Sequence, residues 1–206
     1  MIGVYGGTFD PVHFGHLRTA LEVKEIFGLD ELRLIPCSQP PHREAPLTLP
    51  EMRFEMLSLA VKNKSGLLVD RRELNREGYS YMIDTLKSLR NELFDSPIIL
   101  FMGTDAFKYI TSWHKWQQLF DYVHIVVISR PNYQHQLNSE FLSSRLTENR
   151  ADLKKSKSGG LFFQPVTQLD ISATTIRSII RMGLNPAFLL PESVIEYIKQ
   201  NKLYSE

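Results

Sequence analysis

Two histidines near the amino terminus, His13 and His16, have a residue type and a spacing that suit phosphate chemistry. Positions three apart share one face of a helix, so both imidazoles would point the same way from its first turn. Gly6 and Gly7 precede them and would let the backbone approach a ligand closely and adopt positive φ. Because a helix N-terminus attracts anions through free N–H groups and its dipole, the segment predicts a polyphosphate cradle. Imidazole donors in that cradle could stabilise negative charge that grows during a reaction.

A second set of phosphate-binding side chains lies near the carboxyl terminus, in the segment ISATTIR at 171–177. Ser172 and Thr174 place two hydroxyls at a predicted helix N-terminus, where they can satisfy free N–H groups and bind phosphate. Arg177 follows about one helical turn later and supplies a permanent cation whose planar fork matches phosphate oxygens. The two segments together predict a site for a nucleoside triphosphate.

Other phosphate and metal sites fit the sequence less well. The loop at 3–7 has the pattern Gly-x-x-Gly-Gly rather than Gly-x-Gly-x-x-Gly, and Pro36 and Cys37 stand where a dinucleotide site needs an acidic residue. A Walker-type loop is absent. The histidine pair could instead bind zinc with Cys37 and His42, but the chain has no cysteine pair. We therefore expect no metal held by protein ligands.

The elements that must position these residues follow an alternating pattern. Short apolar runs alternate with segments of helical period, which is typical of βαβ units and a parallel sheet in an α/β protein. We expect Gly28 to end the first helix, Pro50 to begin the second, and Ser80 and Ser172 to cap two later ones. A final amphipathic helix is expected from about 191 to 198, and a mobile polar loop at 149–160. The predicted strands are 2–5, 32–36, 67–69, 98–102, 123–128 and 161–165.

Composition limits the class of protein. With 206 residues and 43% hydrophobic residues, the chain suits one domain, 1–206, with a full core. A net charge of +1 argues against a nucleic acid as the main partner. No apolar run approaches the ~20 residues that cross a bilayer, and the amino terminus does not resemble a signal peptide. The single cysteine, Cys37, excludes an internal disulfide and fits a reducing compartment, so we expect a cytoplasmic protein without a membrane partner.

The HxGH element at His13–His16, preceded by GGTFDP, resembles the signature of the adenylyl- and cytidylyltransferases. The segment 171–177 is similar to the ISxTxxR motif of the same superfamily, although Ala173 stands where serine is common. This resemblance implies a doubly wound parallel sheet. It also implies catalytic roles for His13, His16 and Arg177. The implied ATP-binding residues are Gly6, Gly7, Thr8, Phe9, His16, Gly103, Asp105, Ser172, Thr174 and Arg177.

Intermediate segments resemble the nicotinate-nucleotide adenylyltransferases in particular, and the likeness extends from Gly3 to Leu203. It implies an acceptor site in which Trp113 stacks on a pyridine ring. It also implies that the backbone of the segment from Ser80 to Thr85 and the Thr85 hydroxyl recognise the carboxylate of that ring. His114 departs from the tyrosine that some members carry. The implied acceptor-binding residues are His42, Arg43, Tyr81, Thr85, Trp113 and Arg130.

The resemblance implies transfer of AMP from ATP, with Mg²⁺ carried by the nucleotide, to nicotinate mononucleotide in a monomer or homodimer. Another acceptor, such as pantetheine phosphate or nicotinamide mononucleotide, and a regulatory module without turnover remain as alternatives. Several of these side chains also have a structural interpretation: Trp113 as core, Asp105 as a helix-start residue, Thr85 as an ordinary helix residue, and Arg43 and Arg130 as solvated cations. We expect Asp10 to brace its own loop, and His124 and Trp116 to be structural.

The lysine-rich segment Lys154–Ser158 fits the KxSKS pattern that class I aminoacyl-tRNA synthetases combine with an HxGH element. The chain is too short for a synthetase with a tRNA-binding region. The segment also precedes a predicted strand and is separate from Arg177. We interpret it as a flexible basic loop.

Overall fold

The computed structural model describes residues 1–40, 46–131, 133, 137 and 139–205. Its strands are β1 (Ile2–Gly7), β2 (Glu31–Pro36), β3 (Leu67–Val69), β4 (Ile98–Gly103), β5 (His124–Ser129) and β6 (Leu161–Pro165). Its α-helices are α1 (Phe14–Phe27), α2 (Pro50–Val61), α3 (Met82–Glu92), α4 (Thr104–Phe107), α5 (Leu119–Tyr122), α6 (Glu140–Ser143), α7 (Ala173–Arg181) and α8 (Glu192–Gln200). Short 3₁₀ helices cover Ile110–Ser112, Trp116–Gln118 and Arg150–Lys154.

The strands form one parallel sheet in the order β3-β2-β1-β4-β5-β6. The strand order reverses beside β1, which pairs with β2 on one side and β4 on the other. This confirms the doubly wound α/β sheet. Such sheets bind ligands outside the carboxyl ends of their strands at the point of reversal. That point lies where β1 ends at Gly7 and β4 ends at Gly103.

Both faces of the sheet are buried because successive strand residues point to opposite sides. Ile99 and Phe101 of β4 pack with α1, α2, α7 and α8 on one face. Ile98 and Leu100 pack with α3 and α5 on the other. Parallel strands covered in this way have continuous apolar sequences, which is why short apolar runs located the strands.

Most predicted helix boundaries are confirmed. Gly28 ends α1 in the left-handed conformation with φ 59°, Pro50 is the first residue of α2, and the side chain of Ser172 caps α7. The prediction for Ser80 is wrong, since Tyr81 is the N-cap residue of α3. The Ser80 hydroxyl instead accepts hydrogen bonds from the N–H groups of Ser38 and Gln39, which joins the loop after β2 to the start of α3.

The segment 149–160 is not the irregular loop that its composition suggests. It contains the 3₁₀ helix Arg150–Lys154, and the side chain of Leu153 is buried. Its Lys157 carbonyl accepts a hydrogen bond from Ile98 N–H, which places the lysines at the amino end of the sheet, opposite the histidine pair. His124 is buried there and contacts Ser156 and Gly160, so its structural role is confirmed. Within the described ranges, no helix is long and apolar enough to cross a membrane.

Candidate active site

The loop after β1 is held by a buried aromatic ring rather than by glycines with positive φ. Gly6 and Gly7 complete the strand, and the left-handed residue is Phe9, with φ 51°; the prediction of positive φ at the glycines is wrong. Left-handed backbone is unfavourable for a bulky residue. The Phe9 ring is only 2% exposed and packs edge-on against His16, with centroids 5.0 Å apart. Gly7 is required because a Cβ there would lie 2.9 Å from the Phe9 ring.

The two histidines form a stacked pair at the start of α1. His13 is the extended N-cap residue, His16 lies in the first turn, and their ring centroids are 3.7 Å apart with an interplanar angle of 27°. The Nδ1 atom of each ring is buried and has no hydrogen-bond partner in the described part of the chain. Nε2 is therefore the nitrogen that each imidazole can offer to a ligand. Gly15 makes the stack possible, because a Cβ at that position would lie 2.9 Å from His13 Nδ1.

Burial keeps both rings uncharged. It lowers the pKa of His13 to about 4 and the pKa of His16 to about 3, and the neighbouring His13 adds to the shift of His16. Both imidazoles are therefore neutral at neutral pH, and a neutral imidazole has one N–H donor and one acceptor nitrogen. A proton on Nε2 leaves the acceptor lone pair at the buried Nδ1. In that tautomer the pair would present uncharged N–H donors.

Arg177 joins the second motif to the first. Its Nη1–H donates to the carbonyl of Asp10, at 2.6 Å, and its Nη2–H donates to Thr174 Oγ1, at 3.2 Å. The Ser172 hydroxyl caps α7 by accepting from Thr175 N–H. Arg177 and Asp10 are 167 positions apart in the sequence, so the fold brings the two predicted phosphate-binding segments into direct contact.

Asp10 braces the loop, as predicted, but its partners are distant in the sequence. One carboxylate oxygen accepts from Leu47 N–H at 3.0 Å, and the other accepts from the Tyr204 hydroxyl at 2.6 Å. The residue is 4% exposed. Its carboxylate is therefore occupied by protein donors and acts within the loop.

Arg53 of α2 is a further residue of the site, and sequence reasoning did not identify it. Its guanidinium is fully buried and donates to four carbonyls, those of Thr8, Cys37, Ser38 and Thr48, at 2.7–3.1 Å. It forms no ion pair with a carboxylate of the described residues. One side chain thus joins the loops that follow β1 and β2. The sequence did contain a signal for its burial. Arg53 lies three and four positions before Met56 and Leu57, so it shares the apolar face of α2 with them.

The predicted acceptor residues lie at the ends of neighbouring elements. Tyr81 is the N-cap residue of α3, and the centroid of its ring lies 4.8 Å from that of His114. Thr85 is fully buried, and its hydroxyl donates to Glu73 Oε1 at 2.6 Å, so its predicted contact with the acceptor would require local movement. Burial raises the pKa of Glu73, and hydrogen bonds from Thr85 and Ser80 make this rise smaller.

The remaining predicted residues follow other strands. Gly103 ends β4, Asp105 is exposed in α4, and Trp113 is half-buried against the core. Arg130 follows β5, is exposed, and donates to Gln168. Among the described residues, none of these side chains is hydrogen-bonded to or stacked on the histidine pair. The predictions for His42 and Arg43 lie outside the described residues.

A family model described as cytidylyltransferase-like matches residues 4–179, a span that contains the histidine pair and Arg177. The fold and the site therefore define a member of this nucleotidyltransferase class.

Close relatives narrow the assignment. A probable nicotinate-nucleotide adenylyltransferase of Methylococcus capsulatus is 45% identical over 210 residues and covers 100% of both chains. A Marinomonas protein of the same name is 44% identical, covering 98% of this chain and 94% of the relative. The chain belongs to the nicotinate-nucleotide adenylyltransferase family. The fold also matches the nicotinic acid mononucleotide adenylyltransferase of Plasmodium falciparum, with a TM-score of 0.73 and 17% identity over 98% of this chain and 96% of that one.

Gly15→Ala should separate activity from stability. The added Cβ displaces the His13 ring, so we expect kcat to fall roughly tenfold or more, since small misplacements of catalytic groups are costly. Thermal stability should be maintained, because alanine is favoured over glycine in a helix by about 1 kcal/mol.

Gly28→Ala, at the other end of α1, is the matched control. Its left-handed φ of 59° disfavours alanine, but a Cβ there meets no atom within 4 Å. This variant should lose stability and keep its kcat. A Gly15→Ala protein with normal kcat would show that the stack is not needed.

Proposed function

We propose that this chain transfers the adenylyl group of ATP to nicotinate mononucleotide, forming nicotinate adenine dinucleotide and pyrophosphate. The observation that carries the proposal is the stacked histidine pair, which follows the loop whose Asp10 carbonyl accepts a hydrogen bond from Arg177. Uncharged imidazoles and a permanent cation thus flank the same loop at the carboxyl end of β1. Membership of the nicotinate-nucleotide adenylyltransferase family supports the acceptor.

The reaction is an in-line displacement at the α-phosphorus of ATP. A phosphate oxygen of the mononucleotide forms the new P–O bond, while the bond from the α-phosphorus to its bridge with the β-phosphate breaks. The attacking oxygen is already anionic, so no proton has to be removed from it. The work of the protein is therefore alignment of the two phosphates and stabilisation of the charge that moves onto pyrophosphate.

The side chains divide this work by their chemistry. We assign the Nε2–H donors of His13 and His16 to the triphosphate, with His16 strengthening its bond to the bridging oxygen as charge grows there. Among the described residues, Arg177 donates with two of its five N–H groups, and we assign the others to the outgoing phosphates. The exposed hydroxyls of Ser172 and Thr174 lie in the same helix start. Backbone groups of Gly6 to Phe9 and the Gly103 turn with Asp105 complete the proposed ATP site.

We propose that Mg²⁺ enters with ATP as part of the substrate. Among the described residues, no group of three His, Cys, Asp or Glu side chains could hold a metal ion. Mg²⁺ commonly binds substrate phosphates and keeps several waters, so it requires no dedicated protein cage. The ion would neutralise phosphate charge. We further propose that the enzyme acts in the cytoplasm as a monomer or homodimer.

The proposed acceptor site lies beside the start of α3. Trp113 would stack on the pyridine ring, and the Tyr81 end of α3 would meet its carboxylate. Since Thr85 is buried against Glu73, we propose that it holds this helix start in place. Arg130, His42 and Arg43 are proposed to meet the acceptor phosphate.

Pyrophosphate release tests the proposal directly. The protein should release pyrophosphate from ATP with nicotinate mononucleotide, far more slowly with nicotinamide mononucleotide or pantetheine phosphate, and not with ATP alone. Preference for another acceptor would contradict the assigned substrate. Tight ATP binding without release in any mixture would instead indicate a regulatory module.

Substitution of His16 tests its assigned role. Loss of a preorganised donor to growing charge typically lowers kcat by ~10²–10³, about 2.7–4 kcal/mol, so we expect this for His16→Ala with little change in KM for ATP. His16→Asn retains a donor and should recover part of the loss. Thermal unfolding serves as the control. A folded His16→Ala protein with unchanged kcat would exclude this role.

The proposed stacking role of Trp113 can be tested with an alanine variant, for which Trp116→Ala is the control. Base–aromatic stacking is worth ~1–3 kcal/mol, so Trp113→Ala should raise KM for the mononucleotide roughly tenfold to a hundredfold and leave KM for ATP nearly unchanged. Trp116 is similarly half-buried but packs on Phe141 at 5.1 Å. Trp116→Ala should lower stability without this selective effect. If both KM values rise together in Trp113→Ala, Trp113 is part of the core.

A further inference from the structure

Asp10 is held by three parts of the chain that lie far apart in the sequence. Its two carboxylate oxygens accept from Leu47 N–H and from the Tyr204 hydroxyl, and its carbonyl accepts from Arg177. With 4% exposure, the side chain is closed to a ligand. Asp10 therefore contacts all three of these parts of the chain at once.

Tyr204 is the most distant of these partners. It follows α8, lies 194 positions from Asp10, and adopts the left-handed conformation with φ 61°. It is 9% exposed and packs in the core formed by α1, α2, α7 and α8. Burial and the adjacent Asp10 carboxylate raise the pKa of Tyr204 above its ordinary value. The hydroxyl therefore stays protonated and acts as a donor.

We propose that Tyr204 is a positioning residue for Arg177. Its hydroxyl fixes the Asp10 carboxylate, and the Asp10 carbonyl in turn fixes the guanidinium that meets the phosphates. Tyr204 itself is too buried to touch substrate, so its effect passes through Asp10. The inference rests on the proposed function only in giving Arg177 a phosphate-binding role.

The geometry favours this role over simple core packing. The ring of Tyr204 fills core volume, which phenylalanine would fill equally well. The hydroxyl, by contrast, donates to a carboxylate that is itself buried, and charge-assisted bonds of this kind fix geometry strongly. The backbone carbonyl of Asp10, the residue that carries this carboxylate, accepts from Arg177 at 2.6 Å. The hydroxyl and the ring can therefore be tested separately.

Tyr204→Phe removes the hydroxyl and keeps the ring. We expect kcat/KM for ATP to fall about tenfold and KM for the mononucleotide to change little, because Arg177 is displaced while the acceptor site is not. Tyr197→Phe is the matched control, since Tyr197 lies half-buried in α8 against the same core. It should keep normal kinetics.

A double-mutant cycle distinguishes positioning from general destabilisation. If Tyr204 acts through Arg177, adding Tyr204→Phe to Arg177→Ala should lower kcat/KM for ATP by less than about twofold further. An equal tenfold loss in both backgrounds, or no loss in Tyr204→Phe alone, would overturn the proposal. Asp10→Asn, which weakens the same contact from the other side, should show the same dependence on Arg177 and serves if Tyr204→Phe does not fold.

ATP affinity can also be measured by titration calorimetry, which requires no turnover, on the four proteins of the cycle: wild type, Tyr204→Phe, Arg177→Ala and the double variant. It should show the same loss and the same non-additivity. If the wild-type protein fails with every acceptor, the proposed function fails, while the calorimetric cycle still decides the role of Tyr204.

Discussion

Two imidazoles buried in contact with each other cannot readily carry charge, and the site is built around this constraint. Burial makes a proton on either ring unfavourable, and the neighbouring His13, whose ring centroid lies 3.7 Å away, adds to the effect at His16. In the proposed function, the pair would meet the triphosphate through neutral donors of fixed position, which need no reorganisation as charge develops. Gly15 leaves the space for the stack, and the strained backbone of Phe9 brings a ring against His16. Arg177, which donates to the Asp10 carbonyl, adds a permanent positive charge beside the same loop.

Hydrogen bonds from two arginine side chains to backbone carbonyls hold the loops of the site in place. Arg53 donates to four carbonyls of the loops after β1 and β2 and before α2, and Arg177 donates to the carbonyl of Asp10. A buried guanidinium is unfavourable unless its donors are satisfied, so the loops and Arg53 constrain each other. The parallel sheet brings these loops to one edge, since the carboxyl ends of its strands lie together. A nucleotide bound there would meet a surface whose backbone is fixed before it arrives.

The sequence predicted what depends on local pattern and missed what depends on distant contacts. Apolar runs located all six described strands to within two residues, and the caps at Gly28 and Ser172 followed from residue type. Ser80 was misassigned because its hydroxyl binds the N–H groups of Ser38 and Gln39 instead of its own helix. The positive φ fell on Phe9 rather than on glycine because burial of its ring offsets the strain. Tyr204 gave no local signal at all, since its partner lies at the other end of the chain.

The protonation state of the two histidines tests the central claim most directly. In ¹⁵N-labelled protein without nucleotide, the imidazole nitrogens of His13 and His16 can be followed by NMR as the pH is lowered from 8, with His16→Asn and Gly15→Ala used for assignment. The pKa values of about 4 and about 3 predict that both rings stay neutral down to about pH 5. Titration of either ring near the ordinary histidine value of about 6.5 would contradict the account, because burial and stacking would then not suppress protonation of the pair.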